Sequence, residues 1–299
     1  YGGLSAFLPA QEGAMWGLWV LGLAAFVRPS LALRVSAFNI QTFGDSKLSN
    51  DTITDLIVQI VSGYDITLVQ EVRDADLSAV KKLMHRLNQA SAHPFSYVVS
   101  KPLGRSSYKE QYLFIYRQDQ ASLLDSYYFD DGCEPCGNDT FSREPFVVRF
   151  AAPQTELGEL VLVPLHAAPN DAVLEIDALY DVYLDVKHRW GTQDVLLLGD
   201  FNAGCSFVRA QDWAHIRLRT DPAFQWLIPD TADTTAGRSD CAYDRIVAVG
   251  AHLQGGLLPG SAQVNNFQET FRLSYKDVRR SSFDHLQGMV STDNAGSSA

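Results

Sequence analysis

The chain has 299 residues, 46% hydrophobic and 20% charged, enough to bury a large core as one big α/β domain or as two small ones. Its formal charge is −11 at pH 7 and its pI is near 5.0. That balance excludes a protein that holds a polyanion by overall charge, so any attraction to nucleic acid must come from a local cationic face or a bound metal ion.

In chain order, residues 1–14 precede Met15 and form an extension without an evident role. Residues 15–32 read as a signal peptide: the apolar run Trp16 to Val27 is followed by Ser30-Leu31-Ala32, small residues suited to cleavage after Ala32. The run is short for a membrane span of roughly 20 residues, with a signal anchor as the alternative. A secreted, extracellular protein is therefore expected. No Gly/Ser/Pro-rich linker or repeat interrupts 33–275, which favours one domain.

The apolar run Leu33 to Phe38 ends in Asn39, and Asp65 to Val69 ends in Gln70-Glu71. Leu160 to Leu165 ends in His166, and Leu196 to Leu198 leads into Gly199-Asp200-Phe201-Asn202. Nearly continuous apolar runs suit strands buried on both faces. Amphipathic helices are expected at 52–63, 76–90 and 171–190, the last with an apolar stripe from Val173 to Val186. Strands alternating with helices imply a layered α/β fold. Ligands of such sheets gather outside the carboxyl ends of the strands, so Asn39, Glu71, His166, Asp200 and Asn202 are expected in one pocket.

A lone Asp-x-Asn is more often a turn than a site, but four strand ends with reactive residues point to chemistry. Asp binds hard divalent cations and an Asn amide donates to phosphoryl oxygens, a combination suited to metal-assisted phosphodiester cleavage. The pair Cys133-x-x-Cys136 would be a redox or metal motif in a reducing compartment and a small structural disulfide in an oxidising one; secretion favours the disulfide. Asn50-Asp51-Thr52 and Asn138-Asp139-Thr140 are glycosylation sequons, at Asn50 and Asn138.

The ordered set Ala37-Phe38-Asn39-Ile40, Gln70-Glu71-Val72, Leu165-His166, Gly199-Asp200-Phe201-Asn202 and Tyr243-Asp244-Arg245-Ile246 resembles the endonuclease/exonuclease/phosphatase superfamily. Ser107-Tyr108-Lys109-Glu110, the 131–139 cysteine loop, Phe141-Ser142-Arg143-Glu144-Pro145 and Ser206-Phe207-Val208 narrow the resemblance to the secreted deoxyribonuclease I family, from about Leu33 to about Tyr275.

The resemblance implies a four-layer sandwich of two mixed β-sheets flanked by helices, spanning 33–290 with a polar tail at 291–299, and a monomer cutting double-stranded DNA with little sequence specificity. It implies a Cys205–Cys241 disulfide beside Cys133–Cys136. Glu71, with Asn39, Asp200 and Asp284, would hold Mg2+ or Mn2+. His166 would exchange a proton with substrate, oriented by Glu110, and Asp244 would orient a second histidine, His285. Asn202 would hydrogen-bond the scissile phosphate. Arg73 and Tyr108 would enter the minor groove. Arg143, with Lys101, Arg105 and Lys109, would line the DNA groove. Two Ca2+ sites would use Asp131, Asp139, the Phe141 carbonyl and Glu144, and Asp233 with Thr235 and a divergent Ser239. Monomeric actin is a further family partner, through the region of Tyr97 and Val99, where Phe146 replaces the small residue that this contact needs.

Two departures bear on activity. Gln41 replaces an expected arginine, which removes a phosphate contact. After Tyr275 the resemblance fades: Phe283-Asp284-His285-Leu286 replaces Ser-Asp-His-Tyr-Pro, and the valines of a last strand are absent. Asp284-His285 could still supply the metal-side Asp and the second histidine; if 276–299 does not place His285 opposite His166, the final strand is unfilled and the chain is a poor nuclease, with a catalytically impaired form or a binding protein as the alternative to an active endonuclease. A sphingomyelinase or phosphoinositide phosphatase of the superfamily is the other, against which the cysteine loop and the Tyr108/Glu110 segment argue.

Overall fold

The computed structural model describes residues 32–133, 136–236, 239–273, 285 and 287–292. The extension, all but the last residue of the signal segment, Asp284 and residues 293–299 lie outside the described residues.

The first sheet is built from β1 (Leu33–Phe43), β2 (Ile66–Val72), β3 (Phe95–Val99), β4 (Gln111–Arg117), β11 (Gln263–Asn265) and β12 (Gln287–Thr292), in the order β11-β12-β1-β2-β4-β3. The second contains β5 (Ser122–Tyr128), β6 (Phe146–Ala152), β7 (Gly158–Pro164), β8 (Val195–Asp200), β9 (Phe224–Trp226) and β10 (Asp244–Val249), in the order β5-β6-β7-β8-β10-β9. Both sheets are mixed: β1 with β2 and β7 with β8 are parallel, and the other pairs antiparallel.

The period-2 alternation explains why the strand sequences are apolar throughout. Leu33, Val35, Ala37, Leu196 and Leu198 meet between the sheets with Phe114, Phe150 and Leu162. Their neighbours Phe38, Ile40 and Val69 face the other way, against Leu48 of the short α1 (Asp45–Leu48) and Ile57, Val61, Leu83 and Leu87 of α2 (Asp51–Ser62) and α3 (Ser78–Ala90). On the far side, Val163, Val195 and Leu197 pack on Ile176, Leu179 and Val182 of α4 (Ala172–Trp190). The result is helix, sheet, sheet, helix. Each fully buried aliphatic side chain contributes about 1.5–3 kcal/mol, so the three apolar layers hold the strand ends rigidly.

Local signals fix the helix bounds. Asn50 caps α2, its Oδ1 accepting from the N–H groups of Thr52 and Ile53, and Gly191 ends α4 at φ 68° with its N–H on the Lys187 carbonyl.

The carboxyl end corrects the sequence reading. β12 is present, and it pairs with β1 from Ala37↔Gly288 to Leu33↔Thr292. Ser291 and Thr292, read from composition as tail, are therefore strand. The valine pattern is replaced by polar side chains that find partners: Gln287 Nε2 donates to Ser36 Oγ at 2.8 Å, and Asn265 Nδ2 donates to Gln287 Oε1 at 3.0 Å. Val290 still fills the inter-sheet layer.

Candidate active site

The strand ends deliver their residues to one place because β2 and β8 stop side by side at the same edge of the sandwich. Asn39 pairs with Gln70 across β1 and β2, after which the register shifts and Glu71 takes a left-handed backbone at φ 58°. Such a conformation costs of order 1–3 kcal/mol at a non-glycine residue and is found where a side chain must be re-aimed. Glu71 Oε2 accepts from the Thr42 N–H at 3.0 Å. Opposite, Asp200 ends β8 in register with Asp244 at the start of β10. Asn202 follows at φ 49°, donating its N–H to Asp200 Oδ1 at 2.9 Å and its amide to the Ala167 carbonyl at 2.9 Å.

Two histidines converge on Asp200. His166 lies with Nδ1 2.8 Å from Glu110 Oε2 and Nε2 3.6 Å from Asp200 Oδ2. His285 lies with Nδ1 2.6 Å from Asp244 Oδ2 and Nε2 3.4 Å from the same Asp200 oxygen. The predicted partners, Glu110 for His166 and Asp244 for His285, are those in place, and the altered terminal sequence still puts His285 in the pocket, bridged to Thr235.

Burial alone would raise all three carboxyls. For Glu110 the hydrogen bond and charge of His166 and the charge of Arg143 outweigh it, leaving the group below its usual range. For Asp200 the charges of His285 and His166, with bonds from Asn202 and Asn39, do the same. Asp244 stays raised, since burial and the neighbouring Asp200 charge exceed what His285 offsets.

Asn39, Glu71 and Asp200, expected from the sequence to hold a metal ion, offer only oxygen ligands. Asn39 Nδ2 donates to Asp200 Oδ2 at 3.1 Å, while its Oδ1 is buried without a hydrogen-bond partner. A buried carbonyl oxygen without a hydrogen-bond partner, on a side chain bonded to the Asp200 carboxylate, fits a hard divalent cation. Asp200, Asp244 and His285 also cluster closely, but there the imidazole itself bridges the carboxylates.

Two residues that hold the site carried no role in the sequence reading. The buried Gln70 crosses from the first sheet to the second, donating Nε2 to the Leu165 carbonyl at 2.8 Å and accepting the Asp200 N–H on Oε1 at 2.9 Å. Gly199, at φ 129°, leaves room for it; a Cβ there would strike the Gln70 amide and the Leu165 carbonyl. The Thr234 hydroxyl accepts from the N–H groups of Tyr243 and Asp244, each at 3.0 Å, and donates to the Cys241 carbonyl. The strand-terminal position of Gln70 was its one available signal; Thr234 had none.

Around the pocket, Tyr108 is exposed and the Arg73 guanidinium lies 3.8 Å from its ring centroid. Arg143 is mostly buried beneath His166, with Nε 2.6 Å from Glu110 Oε2 and Nη1 donating to the His166 carbonyl at 2.8 Å. Its charge is spent inside the protein. Arg105, expected at the groove, is held by Asp139 Oδ2 at 2.9 Å and by Asp171. Lys101 lies over Tyr128, and the Lys109 ammonium donates to the Gly104 carbonyl.

Asp131 Oδ2 accepts from the N–H groups of Thr140 and Phe141; Phe141 is buried, and Glu144 is half-buried nearby in sequence. Asp233 Oδ1 accepts from the N–H and hydroxyl of Thr235. Ser239 is exposed. Both disulfides form, Cys133–Cys136 and Cys205–Cys241. Asn50 and Asn138 are exposed, and each uses its side-chain oxygen locally. Tyr97 and Val99 are half-buried on the edge strand β3, while Phe146 is buried against Tyr128. Among the described residues no helix is long and apolar enough to cross a membrane.

Residues 36–266 match the model of the Endonuclease/Exonuclease/phosphatase family. Deoxyribonuclease-1 of Canis lupus familiaris and of Homo sapiens are each 62% identical over 255 residues, covering 85% of this chain and 90% of the relative. The chain belongs to the deoxyribonuclease I family, within the endonuclease/exonuclease/phosphatase family. Deoxyribonuclease-1 of Gallus gallus is 59% identical over 261 residues, covering 87% of this chain and 93% of the relative. Among solved structures, the human Nocturnin catalytic domain superposes with TM-score 0.58 at 15% identity, over 88% of this chain and 95% of that one. Danio rerio TDP2 complexed with single-strand DNA product does so with TM-score 0.57 at 16% identity, over 87% and 98%. At such identities the likeness is one of fold, and it agrees with the four layers expected from the sequence.

Proposed function

We propose that this protein is a secreted, divalent-cation-dependent endonuclease that hydrolyses phosphodiester bonds of double-stranded DNA with little sequence preference. The observation that carries the reading is the pair of carboxylate-backed imidazoles, His166 on Glu110 and His285 on Asp244, meeting at one Asp200 oxygen. Hydrolysis needs a base for the attacking water and an acid for the departing O3′. Two histidines on opposite sides of one point supply both, each oriented by its carboxylate.

Asn39, Glu71 and Asp200 would hold Mg2+ or Mn2+, with Asp284 as a further candidate ligand. The cation would neutralise charge that develops on the phosphoryl oxygens. The Asn202 amide, with one N–H on the Ala167 carbonyl, would donate its other N–H to the same phosphate. Arg73 and Tyr108 project as a stacked pair suited to a groove wall, and a guanidinium there reads groove width rather than base identity. Structural Ca2+ would bind the 131–144 and 233–239 loops. Two disulfides and two exposed sequon asparagines accord with an extracellular enzyme.

A supercoiled-plasmid nicking assay on the secreted protein tests this. Nicking is expected with Mg2+ and Ca2+, is lost in chelator, and falls at least about 10²-fold in His166→Ala. Turnover of sphingomyelin or a phosphoinositide without nicking, or nicking unaffected by His166→Ala, would contradict the reading.

A further inference from the structure

Glu175 is a fully buried carboxylate that the chemistry above does not use. It stands in the first turn of α4, and its Oε1 accepts two main-chain N–H groups, from Ser142 at 3.1 Å and from Ala168 at 3.2 Å. Its Oε2 is buried with no hydrogen-bond partner. A buried, half-satisfied carboxylate is costly and persists where it secures something.

What it secures is visible in the neighbouring bonds. Ser142 immediately precedes Arg143, which grips Glu110 and the His166 carbonyl. Ala168 is two residues beyond His166, and between them Ala167 donates its N–H to the Asp200 carbonyl at 3.0 Å and accepts the Asn202 amide at 2.9 Å. One oxygen on α4 therefore ties the segment bearing Arg143 to the segment bearing His166. The charged and titratable groups facing Glu175 are Arg143, Arg105 and Tyr112; burial pushes its carboxyl up to about 7 despite the two N–H donors and Arg143.

We propose that Glu175 is a positioning residue for catalysis: by accepting both N–H groups it holds the Arg143 and His166 segments in register, so that the His166–Glu110 pair faces Asp200. The inference rests on the reading of His166 as a proton-transfer residue. Acceptor geometry does the work, not charge, because a neutral carboxyl or amide oxygen accepts the same two bonds. Arg73 and Tyr108 lie on other segments, so the grip on DNA stays separate.

The experiment compares Glu175→Gln and Glu175→Met in the full secreted protein by plasmid-nicking kinetics, with circular dichroism to confirm folding. Glu175→Met should lower kcat by about 10–100-fold with KM within about threefold, since misplacement of about 1 Å at a reacting group costs up to 10²-fold. Glu175→Gln keeps the acceptor and should rescue kcat to within about threefold of the parent. If Glu175→Met does not fold, Glu175→Asp, whose carboxylate is retracted by one methylene, is expected to fold and to show the same kcat loss. Full kcat in a folded variant lacking the acceptor overturns the proposal, as does a Gln variant as impaired as the Met variant, or a loss confined to KM. A parent enzyme indifferent to His166→Ala would instead sink the underlying reading of His166.

Discussion

Nε2 of His166 and Nε2 of His285 approach the same atom, Oδ2 of Asp200, at 3.6 and 3.4 Å. The two rings come from opposite sides of the second sheet's midline, one after β7 and one beside β10, and each is backed by its own carboxylate. Sharing an oxygen couples them. Each single alanine variant should lose about 10²–10⁴-fold in kcat, and the double variant should lose less than the product of the two. A double-mutant cycle on plasmid nicking checks this; strictly multiplicative losses would show that the rings act independently.

Gln70 fixes the spacing between the sheets at the pocket. Gln70→Met has similar length but leaves the Asp200 N–H and the Leu165 carbonyl unpaired, at about 1–3 kcal/mol for each buried group. Urea unfolding should therefore show a loss of about 2–6 kcal/mol, and kcat should fall while KM holds. An unchanged denaturation midpoint would mean that water replaces the amide.

The two disulfides should differ in weight. Cys205–Cys241 closes a separation of 36 residues and Cys133–Cys136 one of 3. The chain-entropy model gives about 4 kcal/mol for the first and about 2 for the second. Thermal melts without Ca2+ should show the larger drop for Cys205→Ser/Cys241→Ser than for Cys133→Ser/Cys136→Ser. Equal drops would contradict this ranking.

Glu175 makes stability depend on pH in a direction opposite to an ion-paired carboxylate. Its carboxyl sits at about 7 in the folded protein against 4.5 for the ordinary side chain, so the folded state keeps a proton that the unfolded chain has lost. Stability from this group thus falls as pH rises from 4.5 to about 7, by up to about 3 kcal/mol. Glu175→Gln should melt higher than the parent at pH 8 and alike at pH 4. A lower melting temperature at pH 8 would contradict that assignment.

The pocket was legible because four continuous apolar runs, each filling both faces of a strand, ended in Asn39, Glu71, His166 and Asp200. The residues that brace it were not. Gln70, Thr234 and Glu175 bond main-chain groups, N–H or C=O, brought close only by topology, and a main-chain partner leaves no mark in sequence. Glu175 also sits among the apolar positions of α4 as an unremarked polar residue. β5, an edge strand of mostly exposed residues, lacks a continuous apolar run of the kind that marks β1, β2, β7 and β8. The last strand was misread for a related reason: Gln287 substitutes hydrogen bonds to Ser36 and Asn265 for the valine packing expected there.

The altered carboxyl end still brings His285 to Asp244 and Asp200, which makes it the proposed second histidine of the reaction. Plasmid nicking by the parent and by His285→Ala, at equal concentration with Mg2+ and Ca2+, tests that role most directly. Efficient nicking by the parent and a loss of at least about 10²-fold in the variant are expected. Equal rates in the two proteins would contradict that role.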